Sequence, residues 1–517
     1  MAMDSQSKEQ DTARHEWLVT QAKVLSLVNA GHVTAGLVLL ESFLAAHRRF
    51  KSAEPQRLQA KLLMSLGRPE QAISAYRSVM ASAPHDGSID LGIAIAYGEN
   101  GQPEAAEAAA RTAISKSFDR PGTRYVLGRA LFDQDKFEEA EAQFRQVLAL
   151  DPRHSAAHGS LAELVWMRTG DLDAAVAMIN STGGGDANVE LRMIKARLLH
   201  EAGASERACA ELASSLETHV QHVELHMLAA QCALALEPVR ALWFIERALQ
   251  LNPRNRPAHG LRGVALLAVG RADEAADLAS RLLDYDACDV HALALRAAAW
   301  RVLGDKRFTT LCDYPHLVRS YRIDVPSGWG NLDDYLHDLS ISLHARHNQL
   351  RAHPPAQSAR GGTQVQLRPD AVASDHPFRA FRMAADGPIR RYMKEVMATG
   401  VDAFSRRHTG RYRFNGIWSV RLQAQGHHAN HFHGKGWISS AFHIVVPASA
   451  SDGDRSGWLK FGEPSLPIQP VFSAEHHVKP EPGLLTLFPS WMWHGTVPFQ
   501  GKAGEHRLSI AFDVVPA

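Results

Sequence analysis

Three histidines near the C-terminal end of the sequence have a spacing that suits a metal ion. His431 and His433 lie two residues apart in a segment whose pattern predicts extended chain, so both side chains point to one face. His494 follows residues 484–488, a short apolar strand that begins after the turn signal Pro482-Gly483. Imidazoles from neighbouring strands can bind one ion, and we therefore predict a metal site at His431, His433 and His494.

A polar pair on the last predicted strand indicates what the metal site binds. Arg507 and Ser509 alternate with Leu508 and Ile510, so the two polar side chains face one side of the strand. A buried arginine needs an anion, because an unpaired buried charge is very costly. A carboxylate meets that need, since it accepts two hydrogen bonds from the guanidinium and a third from the serine hydroxyl. With the histidines, this pair favours a non-heme Fe(II) site that binds 2-oxoglutarate, whose far carboxylate is held by Arg507 and Ser509.

From about Trp300 to the end, the chain resembles a family of bacterial proteins in which a 2-oxoglutarate/Fe(II) oxygenase is fused to tetratricopeptide repeats. The resemblance lies in short phrases that occur in one order: residues 360–364, 418–422, 430–433, 436–441, 457–462, 487–490, 493–496 and 512–516. It implies a double-stranded β-helix, also called a jelly roll, with Fe(II), 2-oxoglutarate and O2 as cofactor and cosubstrates. The short alternating strands from Tyr412 onward predict the same barrel without reference to the family.

One position departs from the usual pattern of such enzymes. Most of them have Asp or Glu where this chain has His433. A set of three histidines lacks an anionic ligand, so the metal keeps its full charge. The position is filled, which argues against a variant in which a small residue leaves room for chloride. If His433 does not bind the metal, the site has two histidines and is completed by water.

Five further residues are candidates for contacts with substrate or cosubstrate, or for a supporting role around them. Arg421 and Gln423 alternate along the strand before the site, although a salt bridge at the barrel rim explains Arg421 equally well. Gln364 ends a glycine-rich phrase in a loop that can close over a site. Trp437 and Ser440 follow the histidine pair, in the barrel core or the walls of the site.

Two other kinds of barrel compete with the oxygenase. A cupin also opens its metal motif with His-x-His, but it needs a Glu a few residues later, where this chain has residues 434–437, Gly-Lys-Gly-Trp. A cupin also leaves the pair Arg507 and Ser509 without a role. A barrel without catalysis is the second alternative.

A repeat pattern identifies the first half of the chain as tetratricopeptide repeats. Gly67 is followed by a small residue, Ala72, a large one, Tyr76, and finally Pro84, at the spacing of that repeat. The same spacing recurs in Asp135, Ala140, Phe144 and Pro152, and in Leu236, Ala241, Ile245, Ala248 and Pro253. We predict seven or eight repeats over residues 16–304, forming an α-solenoid whose concave face suits an extended peptide or a partner helix.

Length and composition predict a multidomain α + β protein. The 517 residues are too many for one core. We expect a disordered or frayed N-terminus at 1–15, the solenoid at 16–304, a connector of helices and loops that packs on the barrel at 305–409, and the oxygenase barrel at 410–517. In the connector, residues 332–350 and 389–401 predict helices, and residues 352–368 a loop.

Charge and cysteine content limit the partners and the compartment. A net charge of +1 argues against nucleic acid as a partner. The four cysteines lie far apart, which indicates free thiols in a reducing compartment. No apolar stretch has the length of a membrane span or a signal peptide, so we expect a cytoplasmic protein without a membrane partner.

The repeats suggest a polypeptide substrate. Peptide-binding solenoids accompany such barrels in protein hydroxylases, and we expect a hydroxylase of a peptide or protein side chain. Two alternatives remain open: a small-molecule hydroxylase that uses its repeats for assembly, and a non-catalytic adaptor in which the barrel is only a cap.

Overall fold

The structure is a computed structural model of the whole chain. It describes residues 2–48, 50, 52–80, 83–180, 188–368, 376–397, 403–450, 454–502 and 504–517. The chain forms two compact units, residues 1–160 and residues 161–517. Helices occupy the N-terminal region and antiparallel β-structure the C-terminal region, which confirms the predicted fold class.

The first unit consists of successive helices. They are α1 Ala2–Asn29, α2 Val33–Ala46, α3 Glu54–Ser65, α4 Pro69–Met80, α5 Gly87–Glu99, α6 Pro103–Ser115, α7 Pro121–Phe132 and α8 Phe137–Leu150, while α9, Ser155–Thr169, spans the boundary of the units. The predicted repeat residues have the expected roles. Gly67 and Asp135 end helices with φ of 68° and 60°, a conformation that favours glycine and tolerates aspartate. Ala72 and Ala140 are fully buried, where their small side chains let two helices approach closely.

The N-terminal helix is longer than the sequence indicated. Residues 1–15 were expected to be disordered or frayed, yet α1 begins at Ala2. Ala13 and Trp17 are buried, and the indole nitrogen of Trp17 donates to a carboxylate oxygen of Glu54 at 2.9 Å. A helix anchored by these contacts can extend toward the N-terminus at little cost in free energy, because the polar residues there include good helix formers.

The second unit continues the helices before it changes to β-structure. Its repeat helices are α10 Leu172–Asn180, α11 Val189–Glu201, α12 Ser205–Thr218, α13 Val223–Ala233, α14 Pro238–Leu251, α15 Arg256–Ala268, α16 Ala272–Tyr285 and α17 Val290–Leu303. Further helices are α18 Arg307–Leu311, α19 Tyr314–Leu317, α20 Leu332–His347, α21 His376–Val396 and α22 Ala403–Arg406. Ala208, Ala241 and Ala275 are fully buried, at the positions where the repeat pattern places a small residue.

The strands form two antiparallel sheets. They are β1 Arg319–Arg322, β2 Ala359–Gln366, β3 Tyr412–His428, β4 Ile438–Val445, β5 Leu459–Phe461, β6 His476–Val478, β7 Leu484–Pro489, β8 His494–Thr496 and β9 His506–Pro516. The larger sheet has the order β1-β7-β4-β9-β3-β2, and the smaller sheet the order β6-β5-β8. An isolated bridge between His431 and His494 extends the smaller sheet by one more short segment. From β3 onward the chain passes back and forth between the sheets, as in a double-stranded β-helix.

The connector contributes strands as well as helices. Residues 305–409 were expected to hold only helices and loops, but they supply β1 and β2, the two edges of the larger sheet. The glycine- and proline-rich composition hid β2, whose pairing with β3 is irregular between Arg360 and Gly362. The second connector helix was expected from residue 389, but α21 starts at His376 and contains Pro388. Residues 398–401 of that expectation lie outside the described residues.

Helices α20 and α21 cover one face of the larger sheet. Phe381 of α21 packs on Phe442 of β4 and Phe512 of β9, with ring centroids 4.8 and 6.1 Å apart. His347 of α20 is buried between two hydroxyls, those of Thr363 on β2 and Ser419 on β3, at 2.8 and 2.9 Å. The opposite face of this sheet is therefore free to line the interior of the barrel.

Candidate metal and cosubstrate site

The structure brings the three predicted metal ligands together. The backbones of His431 and His494 exchange two hydrogen bonds of 2.8 and 2.9 Å, which fixes one histidine beside the other. The backbone N–H of His433 donates to the carbonyl of Ser490 at 2.9 Å. The Nε2 atoms of His431 and His433 lie 3.1 Å apart, and one ligand atom from each of the three histidines lies within 4.8 Å of the others.

The outer nitrogen of each ring has an acceptor, which determines the tautomer. Nδ1–H of His431 donates to the carbonyl of Ala429, and Nδ1–H of His494 to the carbonyl of Met492, both at 2.8 Å. Nδ1 of His433 lies 2.8 Å from a carboxylate oxygen of Asp513. Because carbonyl and carboxylate oxygens only accept, Nδ1 of each ring carries a proton, and Nε2 is left as the ligand atom of each ring.

The surroundings keep two of these rings neutral. Burial lowers the pKa of His431 to about 3, and the neighbouring His433 contributes to the shift. Burial also lowers the pKa of His494 well below its usual value, with His431 and His433 as further causes. Neutral imidazole is the form that binds a metal ion.

This donor set fits ferrous iron. The three ligand atoms converge within 4.8 Å of one another, a separation at which one divalent ion can accept a lone pair from each. Imidazole nitrogen is a common iron ligand, and an ion held by three protein ligands would keep open positions for a cosubstrate and O2. His431, His433 and His494 would hold the ion.

Asp513 supports this site, although we did not predict it. It is 4 % exposed, and it also accepts from the hydroxyl of Ser439 at 2.7 Å. A carboxylate behind a metal-binding histidine orients the ring and raises its basicity. The strand period of two could have identified it, since Asp513 follows Arg507 and Ser509 on the same face of β9.

Arg507 is buried, and no carboxylate among the described residues neutralises it. One Nη donates to the carbonyl of Gly457 at 2.8 Å, and the other lies 3.2 Å from Nδ1 of His443. Its Nε has no partner, and among the described residues it forms no ion pair with a carboxylate. Burial lowers the pKa of Arg507 to about 10, so the side chain remains protonated at neutral pH.

One cavity of about 500 Å³ connects the histidines with Arg507. The candidate residues Ser509, Gln364 and Ser440 also line it. The hydroxyl of Ser440 donates to the carbonyl of Phe512 and accepts from its N–H, at 2.9 and 2.8 Å. The cavity is large enough for a small dicarboxylate together with part of a substrate.

Three other predicted residues lie away from this cavity. Trp418 and Val420 of β3 line it, so the strand period directs Arg421 and Gln423 to the opposite face. There, Arg421 donates to the carbonyl of His347 at 3.2 Å, and Gln423 is exposed. Trp437 is buried in the core, where its indole nitrogen donates to the carbonyl of Phe404 at 3.1 Å.

The last repeat helix reaches the lining of the cavity. Phe432, between the two metal-site histidines, packs on His291 of α17 with ring centroids 5.2 Å apart. It also packs on Trp493, whose indole nitrogen donates to the carbonyl of Ala294 in α17 at 3.2 Å. Gly434 leaves room for the His291 ring, since a Cβ there would lie 2.2 Å from that ring.

The fold and site together define a helical-repeat protein that ends in a double-stranded β-helix with three histidines that could hold a metal ion. Comparison with protein families agrees. Residues 416–513 match the family described as "Putative 2OG-Fe(II) oxygenase", and residues 63–122, 125–182 and 244–292 match tetratricopeptide repeats. The chain therefore carries tetratricopeptide repeats followed by a C-terminal domain of this oxygenase family, as the resemblance implied.

Similar solved structures are helical-repeat proteins. MamA from Desulfovibrio magneticus RS-1 is 16% identical, with a TM-score of 0.29, over 32% of this chain and 91% of that one. Yeast Tom70 is 16% identical, with a TM-score of 0.44, over 54% and 60% of the two chains. YrrB, described as a TPR protein with an unusual peptide-binding site, is 15% identical, with a TM-score of 0.22, over 42% and 95%. No curated protein matches the sequence.

The helices were also compared with the requirements of a membrane span. Within the described ranges, none combines the length and the apolar character that crossing a bilayer requires.

Proposed function

We propose that this protein is an Fe(II)- and 2-oxoglutarate-dependent oxygenase that hydroxylates a side chain of a peptide or protein. One observation carries the proposal: three imidazoles whose ligand atoms converge share a cavity with a buried arginine that has no counter-ion among the described residues. The family match supports an oxygenase of this kind.

Each part of the site has a role in this proposal. His431, His433 and His494 hold the iron, and Asp513 fixes the His433 ring. Arg507 binds the far carboxylate of 2-oxoglutarate through donors that have no acidic partner in the described part of the chain, with Ser509 beside it. Iron supplies the oxidation when bound, in which 2-oxoglutarate and O2 become succinate and CO2 while a substrate C–H becomes C–OH.

The polypeptide substrate is supported by the position of α17. This helix ends the repeat region and contacts Phe432, which lines the cavity between two of the metal-site histidines. A peptide held by the repeats would therefore have a short path to the iron. Tetratricopeptide solenoids present surfaces suited to extended peptides.

Turnover in the presence of peptides tests the proposal. The purified protein is incubated with Fe(II), 2-oxoglutarate, O2 and a peptide library, and succinate and peptide mass are both measured. We expect one succinate for each oxygen atom added to a peptide. His433→Ala should abolish both signals, while His337→Ala, an exposed histidine on α20, should retain them. Succinate formation that only metabolites stimulate would exclude the polypeptide substrate.

A further inference from the structure

A second arginine lines the same cavity on a different strand. Arg360 lies on β2, whereas Arg507 lies on β9, and β3 separates these two strands. In the register of the sheet, Leu422 of β3 pairs with both Arg507 and Gly362, two residues beyond Arg360. Two strand spacings place Arg507 and Gly362 roughly 10 Å apart along the sheet. The two arginines can therefore bind different anionic groups.

The guanidinium of Arg360 has one edge free. Its Nη1 donates to the carbonyls of Gln357 and Ala359, at 2.6 and 2.8 Å. Within the part of the chain that the structure describes, its Nε and Nη2 donate no hydrogen bond and no carboxylate pairs with them. These two N–H groups form the fork that matches the two oxygens of a carboxylate. The side chain is half-buried, and burial lowers its pKa. An anion bound there would therefore stabilise the charged guanidinium.

The charge of the cavity lining also favours an anionic substrate. The described lining contains three cationic side chains, those of Arg360, Lys435 and Arg507. Asp513 is the one carboxylate in that lining, and it is occupied by His433 and Ser439. Even after 2-oxoglutarate has neutralised Arg507, the half-buried Arg360 and the exposed Lys435 have no carboxylate partner among the described residues, and a second anion compensates this charge.

We propose that the substrate carries a carboxylate and that Arg360 binds it through Nε and Nη2. This inference rests on the proposed function, because it assigns Arg507 to 2-oxoglutarate and Arg360 to the molecule that is oxidised. Within a polypeptide substrate, the recognised group is an acidic side chain at the reacting residue or next to it. Arg360 is then a residue that determines substrate specificity.

Binding of small probes tests the proposal without turnover. The full chain is loaded with Mn(II) and N-oxalylglycine, an unreactive analogue of 2-oxoglutarate, and titrated calorimetrically with acetyl-Gly-Asp-Gly-amide or its Asn counterpart. We expect the aspartyl peptide to bind at least about tenfold more tightly. Arg360→Gln should abolish this preference, Arg360→Lys should retain part of it, and Arg413→Gln, an exposed arginine of β3, should retain all of it.

The affinity for N-oxalylglycine serves as the control for folding and for the cosubstrate site. It should be unchanged in Arg360→Gln and weakened in Arg507→Gln. Equal binding of the two peptides, a preference that survives Arg360→Gln, or loss of N-oxalylglycine binding in that variant would overturn the assignment of Arg360. If the wild type binds neither Mn(II) nor N-oxalylglycine, the proposed function itself fails, and the inference with it.

Two more probes identify the source of the carboxylate. Acetyl-aspartate is the free acid, and a phosphoseryl tripeptide offers phosphate in its place. Binding of the free acid as tight as that of the peptide, and lost in Arg360→Gln, supports a carboxylate carried by a small organic acid. Preference for the phosphoseryl peptide over the aspartyl peptide would overturn the choice of a carboxylate.

Discussion

The carboxylate of Asp513 lies 2.8 Å from Nδ1 of His433, on the side of the ring that faces away from the other histidines. The pair places a negative charge next to the His433 ring, outside the three metal-site histidines. His433 is the histidine that occupies the usual position of an acidic ligand. The charge that an all-histidine set lacks is thus available through a hydrogen bond instead of a direct metal bond.

Asp513→Asn should weaken iron binding about 10- to 100-fold, since an amide neither orients the ring as firmly nor carries charge. Ser439→Ala, which removes one hydrogen bond to the same carboxylate, should have a smaller effect in the same direction. Anaerobic equilibrium titration with Fe(II) measures both variants. Asp333→Asn, an exposed aspartate of α20, is the control. Unchanged affinity in Asp513→Asn would mean that the pair does not support the metal.

Gly362→Ala should destabilise the β-domain by roughly 1–3 kcal/mol. A Cβ at this position would lie 2.3 Å from the carbonyl oxygen of Arg421 and 2.9 Å from Cα of Leu422, both backbone atoms of β3, so β2 would have to move. Thermal and urea unfolding measure the change.

Gly260→Ala is the matched control for that substitution. Gly260 lies inside α15, and a Cβ there meets no atom within 4 Å. This variant should be more stable than the wild type by about 0.5–1 kcal/mol, because alanine is the better helix former. If both variants unfolded like the wild type, β2 and β3 could not lie as close together at Gly362 as the structure places them.

His347 should make the stability of the protein depend on pH. Burial, with a contribution from Arg421, lowers its pKa from 6.5 to about 3. The unfolded chain therefore binds a proton that the folded chain does not, and the free energy of unfolding falls as pH decreases from about 6.5 toward 3. The slope from this residue is at most roughly 1.4 kcal/mol per pH unit.

Urea unfolding between pH 7.5 and 4.5 measures this slope. His347→Gln should be less stable than the wild type at pH 7.5, because glutamine fits less well between the hydroxyls of Thr363 and Ser419, but it should lose less stability on acidification. His337→Gln, at an exposed position of the same helix, should keep the wild-type slope. Parallel pH profiles for His347→Gln and the wild type would show that His347 is not the proton acceptor.

Features with a local pattern could be predicted from the sequence. The spacing from Gly67 to Pro84 identified the repeats because each residue acts within one helical pair. The triad and Arg507 followed from the strand period, which fixes the face of each side chain whatever its partner strand is. Asp513 lies on the same face of β9 by the same strand period. A carboxylate in a barrel can have many roles, and only the contact with His433 identifies this one.

Features that depend on distant parts of the chain could not be predicted. β2 pairs with β3 across more than fifty residues, and its two glycines and the prolines shortly before it indicate a loop when taken alone. Arg421 and Gln423 were candidates because they clearly alternate along one face of β3. The sequence did not show which face of β3 points into the barrel. The packing of Phe432 against α17 joins two regions that local patterns describe separately.

Anaerobic titration of the Fe(II)-loaded protein with 2-oxoglutarate tests the central claim most directly. We expect a weak visible charge-transfer band in the wild type and in the control Arg413→Gln, and no band in His494→Ala. Arg507→Gln should still bind iron but should require at least about tenfold more 2-oxoglutarate. Absence of the band in the wild type, or the same band at the same 2-oxoglutarate concentration in all four proteins, would contradict the account.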